Sequence, residues 1–301
     1  AIPKMKFKAD ASTIRSVLKA KKHKRVIGIF PEGNRNWDGT TEPLVYATAK
    51  LVKSLDIPVV VATIRGGHLT HPRWAAKPRK GTIAITLEKK WDKGDLKNDS
   101  TELVHKKLTE ALHHNEMEWQ LQHGYMYKGK RLANYLERLL FICPHCHTPG
   151  KMVSKNDLFI CEQCKYTVRY TNTGMLEQVG EQYYFTTTRD WNLWQLKVLQ
   201  ENCANQTWQQ RWKEVMKDHV KLYVGHKKKG WHLVDTGMLT MNKQTMHFHS
   251  DKSEHWKFSI GKLDGVNIHL HHKLDFYTDD QLYRIEFYQP QTSAYKWLKV
   301  I

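Results

Sequence analysis

Two C-x-x-C units, Cys143-Pro-His-Cys146 and Cys161-Glu-Gln-Cys164, constrain this chain more than any other feature. They are fourteen residues apart, a spacing that lets two turns deliver four thiolates to one tetrahedral ion. A pair of disulfides is the alternative. Five cysteines with no signal-peptide pattern at the start point instead to a reducing compartment, where paired C-x-x-C units are more often metal sites. The expected ion is Zn2+ on Cys143, Cys146, Cys161 and Cys164. Four thiolates leave no open position for a substrate, so its role is expected to be structural, with His145 and His147 surplus to the ligand set. A ribbon with few apolar residues should draw its folding energy from the metal. Cys203 reads as a small packing residue.

On the N-terminal side of the ribbon, helical and strand-like patterns alternate. Ser12 caps a helix carrying Ile14, Val17 and Leu18, and Val26–Phe30 reads as an apolar strand ending in Pro31-Glu32-Gly33. Leu44, Thr48, Leu51 and Leu55 fall at helical spacing, and the run 57–64 reads as a strand buried on both faces, hence part of a parallel sheet. The segment 82–87 alternates as a further strand, and Asp99-x-x-Glu102 opens a helix carrying Leu103, Leu108 and Leu112. The expected domain over 1–118 is therefore α/β. A linking helix over 119–142, with Leu132, Leu136, Leu139 and Leu140 on one side, leads into the zinc ribbon over 143–170. Over 180–301 a Trp-rich helical stretch precedes short alternating strands, including 221–224, 238–241, 246–249, 256–260 and 283–288, and the chain closes on an amphipathic helix over 291–301. Many strands closed by one C-terminal helix resembles a pleckstrin-homology-like barrel. His247 with His249, and His269 with His271, should lie in pairs on strand faces, as exposed histidines rather than ligands.

A strand that ends in Pro-Glu-Gly-x-Arg offers a small-residue turn with backbone N–H groups beside a guanidinium fork, which suits a phosphomonoester. Taken alone, Pro31 and Gly33 would simply build a turn. The whole string Phe30-Pro31-Glu32-Gly33-Asn34-Arg35, however, resembles the third conserved block of the lysophosphatidic acid (1-acylglycerol-3-phosphate) acyltransferase family, with Asn34 and Asn36 where hydroxyl residues are usual. Ile57-Pro58-Val59-Val60-Val61 partly resembles the fourth block, and Ala1-Ile2-Pro3-Lys4-Met5-Lys6 the second. The resemblance implies that Glu32, Gly33 and Arg35 organise the acceptor site and hold its phosphate, with Lys4 and Lys6 helping to grip it. It also implies acyl transfer from acyl-CoA or acyl carrier protein to a hydroxyl of a lysophospholipid. The family's first block, His-x-x-x-x-Asp, supplies the general base, and no His in this sequence has an Asp five positions on. The expectation is that this base precedes Ala1.

Lys and Arg outnumber Asp and Glu by 48 to 30, a formal charge of +18 that attracts phosphates, anionic membrane or nucleic acid. The ribbon itself is nearly neutral, with Lys151 and Lys155 against Asp157 and Glu162, so no nucleic-acid partner is expected. The segment 68–80 brings His68, His71, Arg73, Lys77 and Arg79 together with Trp74, a composition that suits an anionic bilayer surface as well as a solvated basic loop. No window approaches the roughly 18 consecutive apolar residues of a spanning helix. The expected location is cytoplasmic, peripheral on the inner face of the cell membrane. A lipid-phosphate-binding protein without catalysis is the alternative function, with a zinc-ribbon nucleic-acid-binding protein ranked below it.

Overall fold

The computed structural model describes residues 11–202, 206–226, 230–252 and 254–301. Lys4, Lys6 and Cys203 lie outside the described residues. The chain divides into two compact units, one of residues 1–68 and 82–123, the other of 69–81 and 124–301. The basic segment after residue 68 therefore belongs to the second unit, not to the domain whose strands flank it in sequence.

The first unit contains helix α1 (Ala11–Lys22), α2 (Ala47–Leu55), strand β1 (Val59–Arg65), the short α3 (Gly67–Thr70) at its border, β2 (Ala84–Trp91), α4 (Thr101–Leu112) and α5 (Glu116–His123). Its core is Leu44, Ala49, Leu96, Val104 and Leu108, with Val52, Val59, Trp91 and Leu112 packed around them. Helix α4 is capped by Ser100, whose side chain accepts from Leu103 N at 3.1 Å. Asp99, expected as the cap, instead accepts from Lys107 Nζ at 2.7 Å.

Two expectations for this unit are corrected. β1 and β2 pair antiparallel, with Ile64 opposite Ile85 and Ala62 opposite Leu87, so the sheet is not parallel at this point. Val61 is buried, whereas Val60, Ile64, Ile85 and Leu87 on the other face are exposed. An apolar β-branched run looks the same in sequence whether one face or two are covered. Val26–Phe30 forms no strand, and Val26 and Phe30 are exposed. A strand needs a neighbour to take its N–H and C=O groups, and among the described residues none pairs with this run.

The second unit holds a four-stranded antiparallel sheet of β3 (Met152–Lys155), β4 (Leu158–Cys161), β5 (Thr167–Tyr170) and β6 (Leu176–Val179), in sequential order. The ribbon thus extends past its expected end. It shares a core with α6 (Thr188–Asn202), where the fully buried Trp191 packs on Phe159 at 5.5 Å and on Tyr166 at 5.9 Å between ring centroids. The expected linking helix is corrected too. Leu136–Arg138 makes a single 3-10 turn, and the chain around it is bent by left-handed residues Arg131 (φ 56) and Tyr135 (φ 71). Leu136, Leu139 and Leu140 are fully buried even so.

After α7 (Gln206–Val215) come β7 (Lys217–His226), β8 (Gly230–Met241), β9 (Thr245–Ser250), β10 (His255–Ser259), β11 (Asp264–His269), β12 (Lys273–Thr278) and β13 (Gln281–Phe287). They form one antiparallel sheet in the order β10-β9-β8-β7-β13-β12-β11, curled into a half-barrel. The closing helix α8 (Ala294–Val300) is capped by Ser293, and Trp297 is fully buried with its Nε1 donating to Asp218 Oδ2 at 2.7 Å. β11 and β12 were not legible in the sequence, and β11 ends at His269, so His271 sits in the following turn rather than on a strand face with it. Among the described residues, no helix is long and apolar enough to cross a membrane.

Gly237 on β8 runs close against the backbone of β9. A Cβ there would stand 2.1 Å from the carbonyl oxygen of His249 on β9. Gly237→Ala must displace backbone, and it is expected to cost at least ~2 kcal/mol in chemical denaturation. An unchanged midpoint would show that the two strands separate easily.

Candidate functional site

The thiols of Cys143, Cys146, Cys161 and Cys164 lie within 4.8 Å of one another. Cys143 and Cys164 are 3.6 Å apart and Cys146 and Cys161 3.7 Å. A tetrahedral ion with sulfur at ~2.3 Å sets neighbouring sulfurs about 3.8 Å apart, whereas a disulfide requires about 2.05 Å. The cluster therefore has the dimensions of a metal site. The two knuckles repeat one backbone device: His147 N donates to Cys143 O at 3.0 Å and Lys165 N to Cys161 O at 2.9 Å. The residue after each knuckle is left-handed, His147 at φ 55 and Lys165 at φ 65. Burial pushes the Cys143 and Cys161 thiols up. Burial acts the same way on Cys146, but contacts with Thr148 and the neighbouring thiols outweigh it and bring the group down to about 7. His145 and His147 point elsewhere, His145 Nδ1 to Tyr184 OH at 2.9 Å and His147 edge-on to Trp194 at 5.3 Å, as surplus residues should.

The loop Pro31–Thr41 is built in the first unit by backbone and side-chain anchors. Gly33 N donates to Phe30 O at 3.0 Å to close the turn, and Gly33 stands at φ +70, a conformation that favours glycine. Val45 N donates to Pro31 O at 2.8 Å, and Glu42 N donates to Glu32 Oε2 at 2.8 Å. The far end is tied to the junction of α4 and α5. Thr41 Oγ1 donates to Leu112 O at 3.0 Å, and His114 N donates to Thr41 Oγ1 at 2.9 Å. Glu32 is half-buried and Arg35 exposed. Burial raises the Glu32 carboxyl above its usual range, and nearby Glu42 adds to the rise, while the Glu42 N–H and His114 oppose it. Partial desolvation lowers Arg35, which stays charged.

The anchoring brings a second pair to the loop that sequence reasoning missed. His114 Nε2 is 2.9 Å from Glu116 Oε2, and Glu116 is 1% exposed beneath Gly39, whose carbonyl accepts from Glu116 N at 2.9 Å. His114 and Glu116 are brought to this loop by ties at Gly39, Thr40 and Thr41, from residues more than seventy positions away in the chain, so no local spacing signals them. The loop over 68–80 also differs from expectation. Trp74 is fully buried, edge-on to Tyr170 at 5.4 Å, so it is not available to a bilayer surface. A lone Trp in a basic stretch carries no signal that separates packing from membrane contact.

Compared with family models, with curated proteins and with solved structures, the chain matches none.

Two outcomes follow. Cys161→Ser removes one of four thiolates and is expected to abolish stoichiometric metal in elemental analysis and to expose the ribbon to proteolysis between Cys146 and Cys161, while the melting of the first unit is unchanged. Retention of one metal per chain would rule out the four-sulfur site. At Glu32 the raised folded-state pKa means that ionisation costs stability once the pH passes the unfolded value, so the cost is present at neutral pH and absent in acid. Glu32→Gln keeps an acceptor for the Glu42 N–H and should raise Tm at pH 7 but not below about pH 4. An equal shift at both pH values would assign the effect to something other than charge.

Proposed function

We propose that this chain belongs to an acyltransferase that moves an acyl group from acyl-CoA or acyl carrier protein to a hydroxyl of a lysophospholipid such as lysophosphatidic acid. The observation that carries the reading is the resemblance of Phe30-Pro31-Glu32-Gly33-Asn34-Arg35 to the acceptor block of that family, on a turn whose Glu32 is pinned and whose Arg35 is exposed. In this reading Arg35 holds the acceptor phosphate through its planar fork, and Gly33 lets the backbone approach it. Glu32 is held by the Glu42 N–H and orients the acceptor instead of performing the chemistry. Lys4 and Lys6 are proposed to add to the phosphate grip. The ion at the four cysteines is proposed to be Zn2+ in a structural role, because an all-thiolate tetrahedral set is characteristic of structural zinc. The strand order of the curled sheet and its closing helix support a pleckstrin-homology-like reading of the C-terminal half, and the net charge supports a peripheral position on an anionic membrane at the cytoplasmic face.

One observation favours a second reading. No His in this sequence is followed five positions later by an Asp, the spacing of the family's base. The second reading is a lipid-phosphate-binding protein without catalysis, and it predicts binding without turnover.

Losing a charge-assisted hydrogen-bond pair costs about 1.5–3 kcal/mol, so Arg35→Ala should weaken lysophosphatidic acid binding by roughly tenfold to a hundredfold. In an acyl-transfer assay it should raise the acceptor KM and leave the donor KM alone. Undiminished affinity for the acceptor would refute the phosphate role of Arg35, and acceptor binding without transfer would select the second reading.

A further inference from the structure

The second unit contains a cavity of about 570 Å³ whose polar lining includes Lys77, Arg79, Lys130, Arg131, Asn134 and Tyr135, with no Asp or Glu in its wall. Its walls are two short basic strips. Lys80 N donates to Lys128 O at 2.9 Å and Lys128 N to Lys80 O at 2.8 Å, which ties the strip 77–80 to the strip 128–131. Tyr127 packs so closely beneath this junction that a Cβ on Gly81 would stand 2.2 Å from its ring. The arrangement is built, not a chance gathering of surface lysines.

Arg79 gives the cavity its fixed charge. It is 5% exposed, donates from Nη1 to Tyr170 OH at 2.8 Å and from Nη2 to Leu132 O at 2.7 Å, and lies over the rings of Trp74 and Tyr170 at 5.1 and 4.6 Å. None of these partners is an anion. Lys77, Lys130 and Arg131 are exposed, and the nearby carboxylate of Asp157 is engaged by the N–H of Leu132. A concave wall with four cations and no acidic side chain in its lining, Asp157 lying behind Leu132, focuses positive potential and repels itself, and a bound anion relieves both. The remaining wall, Ala75, Ala76, Pro78 and Leu132, is apolar. The volume falls in the range of small-molecule sites, roughly 300–1,000 Å³.

We infer that this cavity is a binding site for a phosphomonoester or diphosphate group carried on a less polar body. The lysine and arginine side chains at its mouth engage the phosphate oxygens, and Arg79 sets the potential at its base. Such a group can belong to a soluble phosphorylated metabolite or to a lipid headgroup, and the recognition chemistry is the same. The site lies in the unit that does not contain Arg35, and the inference does not rest on acyl transfer.

The test is isothermal titration of the full chain with inorganic pyrophosphate and with glycerol 3-phosphate, together with co-sedimentation on phosphatidylcholine vesicles with and without phosphatidic acid. The variants are Lys130→Glu and Arg131→Asn. Arg131 is left-handed at φ 56, a conformation that Asn tolerates well, so the second variant removes the charge without straining the backbone. Lys262→Glu, an exposed lysine on the 3-10 turn before β11, serves as the control, and circular dichroism confirms folding. Saturable binding of a small phosphate, or of the phosphatidic acid vesicles alone, that falls at least roughly tenfold in both variants but not in the control supports the site, and the two arms tell metabolite from headgroup. Binding should also weaken as salt rises. No saturable binding in any arm, binding indifferent to both variants, or binding of an RNA oligonucleotide with neither small phosphates nor vesicles would each overturn the inference. Because Arg35 is untouched, failure here leaves the acceptor reading standing, and failure of Arg35→Ala leaves this one.

Discussion

The second unit depends on burying a stretch of irregular backbone, Leu136–Cys143, and satisfying its polar groups without a ladder. A buried N–H or C=O without a partner costs on the order of 1–3 kcal/mol, so side chains must reach in from elsewhere. Gln195 on α6 accepts from Phe141 N at 2.9 Å and donates to Leu139 O at 2.8 Å, and Trp191 Nε1 donates to Ile142 O at 2.9 Å. From the other side, Ser293 Oγ donates to Arg138 O at 2.6 Å, just before α8. Ribbon, helix and curled sheet are therefore joined through one segment. Cys143 at its end enters the thiol cluster already fixed in position.

Arg138 extends this frame. It donates to Pro290 O at 2.7 Å and to Trp74 O at 3.0 Å, while Arg73 donates to Leu270 O at 2.7 Å and Ile268 O at 2.6 Å. Two buried guanidinium groups are used as multi-donor braces for carbonyls, a task that the flat fork of Arg performs and the single ammonium of Lys does not. Part of the positive charge that a composition count would assign to membrane or nucleic acid is thus spent inside the protein. Lys77, Lys130 and Arg131 at the cavity of the basic strips, and Arg35 in the first unit, remain exposed.

The loop over 31–41 follows a different logic. Its ends are anchored, at Val45 and Glu42 on one side and through Thr41 to the α4–α5 junction on the other, while Gly33 and Arg35 stay at the surface. Burial in the anchored loop raises Glu32 above the usual carboxylate range, and the Glu42 N–H that orients it works against that rise.

The sequence alone determined the four cysteines as one cluster, the helix at the C-terminus, most strands of the curled sheet and the Pro-Glu-Gly turn. Each depends on local chemistry: thiol spacing, side-chain period, or a residue suited to a left-handed or capped position. Tertiary structure decided what depends on partners distant in the chain. It left Val26–Phe30 without a strand neighbour among the described residues, paired β1 with β2 antiparallel, broke the leucine-rich linking helix into a braced 3-10 turn, and buried Trp74. It also brought His114 and Glu116 to the loop over 31–41 and laid residues 77–80 beside 128–131. A period of two or of 3.6 reports that a residue has a buried side, but which element covers it is set by the folded neighbours, and those are encoded far away in the chain.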